Sequence, residues 1–170
     1  MRCPFCAHQN LQGSELCEQC GADLAGLDLP EAGRGVGGRL LTDRLGDLPL
    51  APVLELAPEA TVAEAVALMR RERHGCVLVR YHGELVGIFT EWDLLTRVLL
   101  PGLEPGATAL GEVMTADPVR LEASDPPAFA VHLMVARELR HVPVVDGGQL
   151  LGFVSVRNLL RYIRHQVTAA

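Results

Sequence analysis

The chain has 170 residues, enough for one ordinary domain or for two small repeats with an accessory module. Its 15 basic residues are all arginine, against 21 acidic ones, giving a net charge of -6 and a pI near 5.5. The absence of lysine excludes Schiff-base chemistry and a lysine-containing phosphate loop, and the acidic balance argues against sequence-independent nucleic-acid binding.

Residues 1–25 hold four of the five cysteines, as Cys3-x-x-Cys6 and Cys17-x-x-Cys20-Gly21. Two such knuckles aim four thiolates at one centre and complete a tetrahedral, closed S4 site for structural zinc, in a module that resembles a short zinc ribbon. Two disulfides are the main alternative reading. They are disfavoured by an N-terminus with no signal peptide, which points to the cytoplasm. A redox dithiol is a weaker alternative. His8 reads as surface. Arg2 alone opposes Glu15, Glu18 and Asp23, so the module is expected to contact a protein rather than nucleic acid. Residues 26–40 read as a glycine-rich linker. Gly33-Arg34-Gly35-Val36-Gly37-Gly38 matches a dinucleotide fingerprint literally, but no strand precedes it.

From residue 41 onward the chain repeats itself at a constant offset. Gly83-Glu84-Leu85-Val86-Gly87-Ile88-Phe89-Thr90 lies over Gly148-Gln149-Leu150-Leu151-Gly152-Phe153-Val154-Ser155, and Met69, Val77 and Val79 fall on Met134, Val142 and Val144. The copies span 41–102 and 107–168, and each reads strand, helix, strand, strand, helix. In the first, residues 53–56 alternate as a strand and Thr61-x-x-Glu64 forms a capping box ahead of Val62, Ala65, Val66 and Met69 at helical spacing. Residues 76–79 and 85–89 form a hairpin. Leu94, Leu95, Val98 and Leu99 build a helix stopped by Pro101-Gly102. In the second, Asp125 is the expected cap with Pro126 at the first helical position, Asp146-Gly147-Gly148 is the turn, and Leu159, Leu160 and Ile163 face inward. One copy has too little core to stand alone, so the expected α/β (α+β) fold is two packed βαββα repeats. The longest uncharged apolar run, residues 126–136, is too short for a bilayer despite a mean hydropathy of +0.22, so no membrane partner is expected.

The motifs closing each copy, Gly87-Ile88-Phe89-Thr90-Glu91-Trp92-Asp93 and Gly152-Phe153-Val154-Ser155-Val156-Arg157-Asn158, resemble the cystathionine-β-synthase-type (CBS) domain pair. So do residues 113–119 and 140–146. The resemblance implies a regulatory module, commonly a homodimer, that binds AMP, ADP, ATP or S-adenosylmethionine in clefts between the repeats. It places phosphate on the hydroxyl and ribose on the acid three residues later: Thr90 and Asp93, then Ser155 and Asn158, where an amide replaces the acid. Arg140 and His141 fall where the family contacts ligand, and Arg157 stands ready to pair with a phosphate.

Thr90-x-x-Asp93 also matches an ordinary helix cap, and a helix N-terminus serves an anion with the same free N–H groups; the recurrence of the hydroxyl and the acid or amide after a glycine-bearing strand in both copies favours a site. Arg70, Arg71 and Arg73 read as a solvated helix end, Cys76 as a small buried hydrophobe, and His132 as a packed histidine. With no nucleophile–base set or paired carboxylates, no enzyme is expected. The expectation is a nucleotide-sensing module with an unknown protein partner, or else a scaffold with empty clefts.

Overall fold

The computed structural model describes residues 2–11, 14–24 and 36–168, in two compact units. One is built from Pro52–Pro118, the other from the described residues up to Ala51 together with those from Val119 onward.

In the first unit the expected capping box forms. Glu64 N–H donates to Thr61 Oγ1 at 3.2 Å, and Thr61 N–H donates to Glu64 at 2.7 Å. It opens α2 (Val62–Glu72), which buries Val62, Ala65 and Met69, and Arg73 ends the helix in the left-handed region. β1 (Glu55–Leu56) runs parallel to β2 (Cys76–Tyr81), which forms a hairpin with β3 (Glu84–Thr90). The turn residues His82 and Gly83 both take positive φ, matching the right-handed twist of the strands. Phe89, Val77 and Val79 are fully buried beneath α2.

The second unit reproduces this plan at the offset of the sequence repeat. β5 (Leu121–Glu122) pairs with β6 (His141–Asp146) as β1 does with β2, and β6 pairs with β7 (Gln149–Ser155). The strand bulge at Val79/Arg80 recurs at Val144/Val145, and the left-handed residue Arg73 recurs as Glu138. α5 (Pro127–Ala136) and α6 (Val156–Thr168) complete the unit.

Each sheet is finished by the segment that precedes the other repeat. In the first unit α4 (Leu110–Val113) and β4 (Thr115–Ala116) cover the edge of β3. In the second, the single turn Leu45–Asp47 and Ala51, which bridges Phe153, take the same places. Leu45 and Leu110, equivalent positions of the repeat, are both fully buried.

Four local readings change. The helix after β3 begins as α3 (Glu91–Asp93) and widens into a π-helical stretch, Leu94–Leu99, with Leu100 N–H reaching back to Leu95 O. Pro127, not Pro126, opens α5, because the Asp125 carboxylate is engaged elsewhere and gives no helix cap. Leu160 is 61% exposed and Tyr162 takes its inward place, bonded to Asp43 at 2.6 Å. Finally, α1 (Val36–Thr42) begins inside the stretch read as linker and runs into the first repeat, with Leu40 against the second core; residues 26–35 of that stretch lie outside the described residues.

Candidate functional site

The N-terminal knuckles are two copies of one turn. Cys3 N–H bonds His8 O and Ala7 N–H bonds Cys3 O; Cys17 N–H bonds Ala22 O and Gly21 N–H bonds Cys17 O. Ala7 and Gly21 hold matching left-handed positions at φ 59° and 69°. Asn10, which the sequence reading passes over, joins the knuckles: its amide nitrogen lies 3.5 Å from Cys17 Sγ and its oxygen accepts Glu18 N–H at 2.9 Å.

The sulfurs of Cys3, Cys6, Cys17 and Cys20 all lie within 4.8 Å of one another, and none forms a disulfide. Cys3–Cys20 and Cys6–Cys17 are 3.7 and 3.6 Å apart. A tetrahedral ion with Zn–S bonds of about 2.3 Å needs sulfurs roughly 3.8 Å apart, so the donor set fits. Burial opposes ionisation of Cys17, yet the N–H groups of Cys20 and Gln19, the Asn10 amide and the Cys6 thiol outweigh it and lower the Cys17 thiol, while Cys3 and Cys6, which share their protons with it, move up. Cys76 differs. Burial, then the Glu91 charge, pushes its thiol up, and it packs as an apolar side chain.

Both closing motifs form reciprocal caps. Thr90 N–H and Oγ1 donate to Asp93 Oδ2 at 2.9 and 2.6 Å, and Asp93 N–H returns to Thr90 Oγ1 at 3.3 Å. Asp93 is 4% exposed, and its other oxygen takes longer contacts, 3.2 Å from Thr115 Oγ1 and 3.4 Å from Arg97 Nε. Arg97 also donates to Met114 O at 2.7 Å. In the second repeat Ser155 N–H and hydroxyl donate to Asn158 Oδ1, and Asn158 N–H returns to Ser155 Oγ. Tyr162 stands where the first repeat has Arg97, and the Asn158 amide itself donates to Pro49 O at 2.8 Å. Pro49 is the repeat equivalent of Met114. The Asn158 amide thus reaches in one residue the carbonyl position that Asp93 and Arg97 reach together in the first repeat.

The remaining site residues gather around the second cap. His141 pairs with Ser155 across β6 and β7 and sets its ring edge-on to Phe153 at 5.6 Å. Arg140 O accepts Val156 N–H at 3.3 Å, and Arg157 is exposed on the first turn of α6. The first repeat has Gly75, Cys76 and Trp92 in these three places. In sequence, the second cap is flanked by Arg140, His141 and Arg157, whereas the first is flanked by Gly75, Cys76, Glu91 and Trp92.

Two copies of one βαββα unit, each closed by a hydroxyl-to-acid or hydroxyl-to-amide cap, define a tandem-repeat class of fold. The CBS domain family model matches residues 45–100 and 110–165, and the chain belongs to that family. It is 32% identical over 114 residues to the CBS domain-containing protein CBSCBSPB3 of Arabidopsis thaliana, covering 66% of this chain but 20% of that protein. The chain likewise spans only about a fifth of the Arabidopsis protein CBSCBSPB2. It is 30% identical over 113 residues to the CBS domain-containing protein YhcV of Bacillus subtilis, covering 66% of this chain and 80% of that one. A CBS domain protein from Pyrobaculum aerophilum complexed with AMP superposes with a TM-score of 0.64 at 26% identity, over 75% of this chain and 99% of that chain. No helix among the described residues is long and apolar enough to cross a membrane.

Proposed function

We propose that the protein is a non-enzymatic, cytoplasmic regulatory module that senses an adenosine-containing ligand and reports to a protein partner, with structural zinc on Cys3, Cys6, Cys17 and Cys20. The observation that carries the ligand reading is the cap present at the same place in both repeats, Thr90/Asp93 and Ser155/Asn158, each at the end of a strand and the start of a helix. The AMP bound to the Pyrobaculum relative supports it.

Thr90 and Ser155 would present their hydroxyls and the helix N–H groups to phosphate. Ribose hydroxyls would take the place of Thr115 and Arg97 on Asp93 Oδ1, where the contacts are longest. Asn158 has one acceptor oxygen, already used twice by Ser155, and its NH2 group is held by Pro49 O. The second half-site is accordingly the weaker for ribose, while Arg140, His141 and Arg157 make it the more receptive to extra phosphates.

A second copy of the chain would cover the apolar residues left outward on the closing helices. These are Trp92, Leu95 and Leu99 in the first repeat and Leu160 and Val167 in the second. Light scattering at micromolar concentration would find a homodimer; monomer with and without nucleotide would contradict it.

A thermal-shift screen with AMP, ADP, ATP and S-adenosylmethionine tests the sensing reading. Mass spectrometry of the denatured, freshly purified protein would name a retained ligand. Stabilisation by at least one of the four is expected. No shift with any of them would leave an interaction scaffold as the better account.

A further inference from the structure

The cysteine module does not stand apart from the repeats. Arg2, one residue before the first ligand, donates to both oxygens of Asp125 at 2.6 and 2.8 Å, and the Asp125 side chain is only 8% exposed. Phe5, inside the first knuckle, sets its ring edge-on to His132 at 5.4 Å and beneath the Arg137 guanidinium at 4.5 Å. Phe5 packs at once against the cysteine cluster and against the core of the second repeat.

The internal repeat supplies an independent control. The positions equivalent to Asp125, His132 and Arg137 in the first repeat are Ala60, Ala67 and Glu72. Backbone geometry is kept at these places: Leu45 N–H bonds Asp125 O just as Leu110 N–H bonds Ala60 O. The side chains differ at all three positions, and in the second repeat all three touch the module. On α2 the matching positions Ala67 and Glu72 are exposed. One acid, one imidazole and one guanidinium have been placed on a common scaffold only where the module docks.

Asp125 also links the dock to the second cap. Its carboxylate accepts Glu122 N–H at 2.8 Å and its carbonyl accepts Leu45 N–H at 2.9 Å. Leu45 opens the segment whose Pro49 carbonyl receives the Asn158 amide. We propose that the four-cysteine module is a metal-gated clasp on the second repeat: metal on the cysteines fixes the first knuckle, the knuckle holds Arg2 on Asp125 and Phe5 against α5, and metal loss releases both. The clasp rests on the metal reading above. Coupling between the two places is reciprocal, so whatever tightens the dock also tightens the metal.

Hydrogen exchange of the full-length protein, with metal content measured on the same samples, tests this. Removing zinc with a chelator should speed exchange at least tenfold in α5 and around Glu122–Asp125, with little change in α2, β2 and β3. The double variant Arg2→Ala/Phe5→Ala keeps every cysteine. It should show that fast exchange with zinc bound, be insensitive to the chelator, and bind zinc about tenfold more weakly in a competition with a chromophoric chelator. Zinc at one per chain with unchanged α5 protection on its removal would overturn the clasp alone. Protein that takes up no zinc would overturn the metal reading and the clasp with it.

Discussion

Asn158→Asp makes the two caps chemically alike and reads out why they differ. Asn158 is 9% exposed and its amide donates to Pro49 O at 2.8 Å. A carboxylate there has no proton to give, so two oxygens would face each other, and Tyr162 offers no arginine to bridge them as Arg97 does beside Asp93. Leaving a buried acceptor without its donor costs about 1–3 kcal/mol. For a protein of this size about 2 kcal/mol lowers Tm by roughly 4–8 °C. The sign with pH follows. Burial and the facing carbonyl raise the new carboxyl above its unfolded value, so the deficit grows as pH rises through the carboxylic range. It closes below that range, where the protonated acid can donate again. Differential scanning calorimetry of variant and parent at pH 7 and pH 4 measures this. Equal Tm at pH 7, or a deficit as large at pH 4, would refute the assignment of the amide as a donor to Pro49.

Elemental analysis should find one zinc per chain in the parent and none in Cys17→Ser. Ala7→Gly, which relieves a left-handed alanine where the sister knuckle has Gly21, should stabilise the module by about 1 kcal/mol, and Gly21→Ala should cost a similar amount. Both are readable as zinc retention during chelator challenge. Gly152→Ala would drive a Cβ into the Ala51 carbonyl, whereas Gly87→Ala meets the flexible end of Met114. The first should cost about 1–3 kcal/mol in thermal unfolding and clearly exceed the second.

Much of the fold is legible because it is written locally and written twice. The constant repeat offset, the Thr61 capping box and the two hairpin turns each carry their own residue chemistry, and the four cysteines carry theirs. What escapes is pairing between distant segments. Nothing in the periodicity of residues 45–51 or 110–116 says that each finishes the sheet of the other repeat; an apolar stripe declares that it will be buried, not beneath what. Arg2 and Asp125 are 123 residues apart, and Asp125 beside a proline reads as a cap from sequence because caps are the local use of aspartate. Leu160 and Tyr162 change places for a similar reason: the hydroxyl partner of Tyr162, Asp43, is 119 residues away in the sequence. The cap seen at Thr90 and Asp93 and the ligand site proposed there use the same helix N-terminus, so sequence pattern does not separate them.

Isothermal titration calorimetry of AMP, ADP and ATP into the parent, Asp93→Ala and Asn158→Ala tests the sensing account most directly. A bond to a charged acceptor contributes about 1 kcal/mol more than one to a neutral acceptor, which makes the Asp93 half-site roughly fivefold to tenfold the tighter. The account predicts two unequal binding events in the parent, loss of the tighter one in Asp93→Ala, and loss of only the weaker one in Asn158→Ala. Isotherms of Asp93→Ala that match the parent, with the variant merely less stable by about 1 kcal/mol as for a lost helix cap, would contradict it.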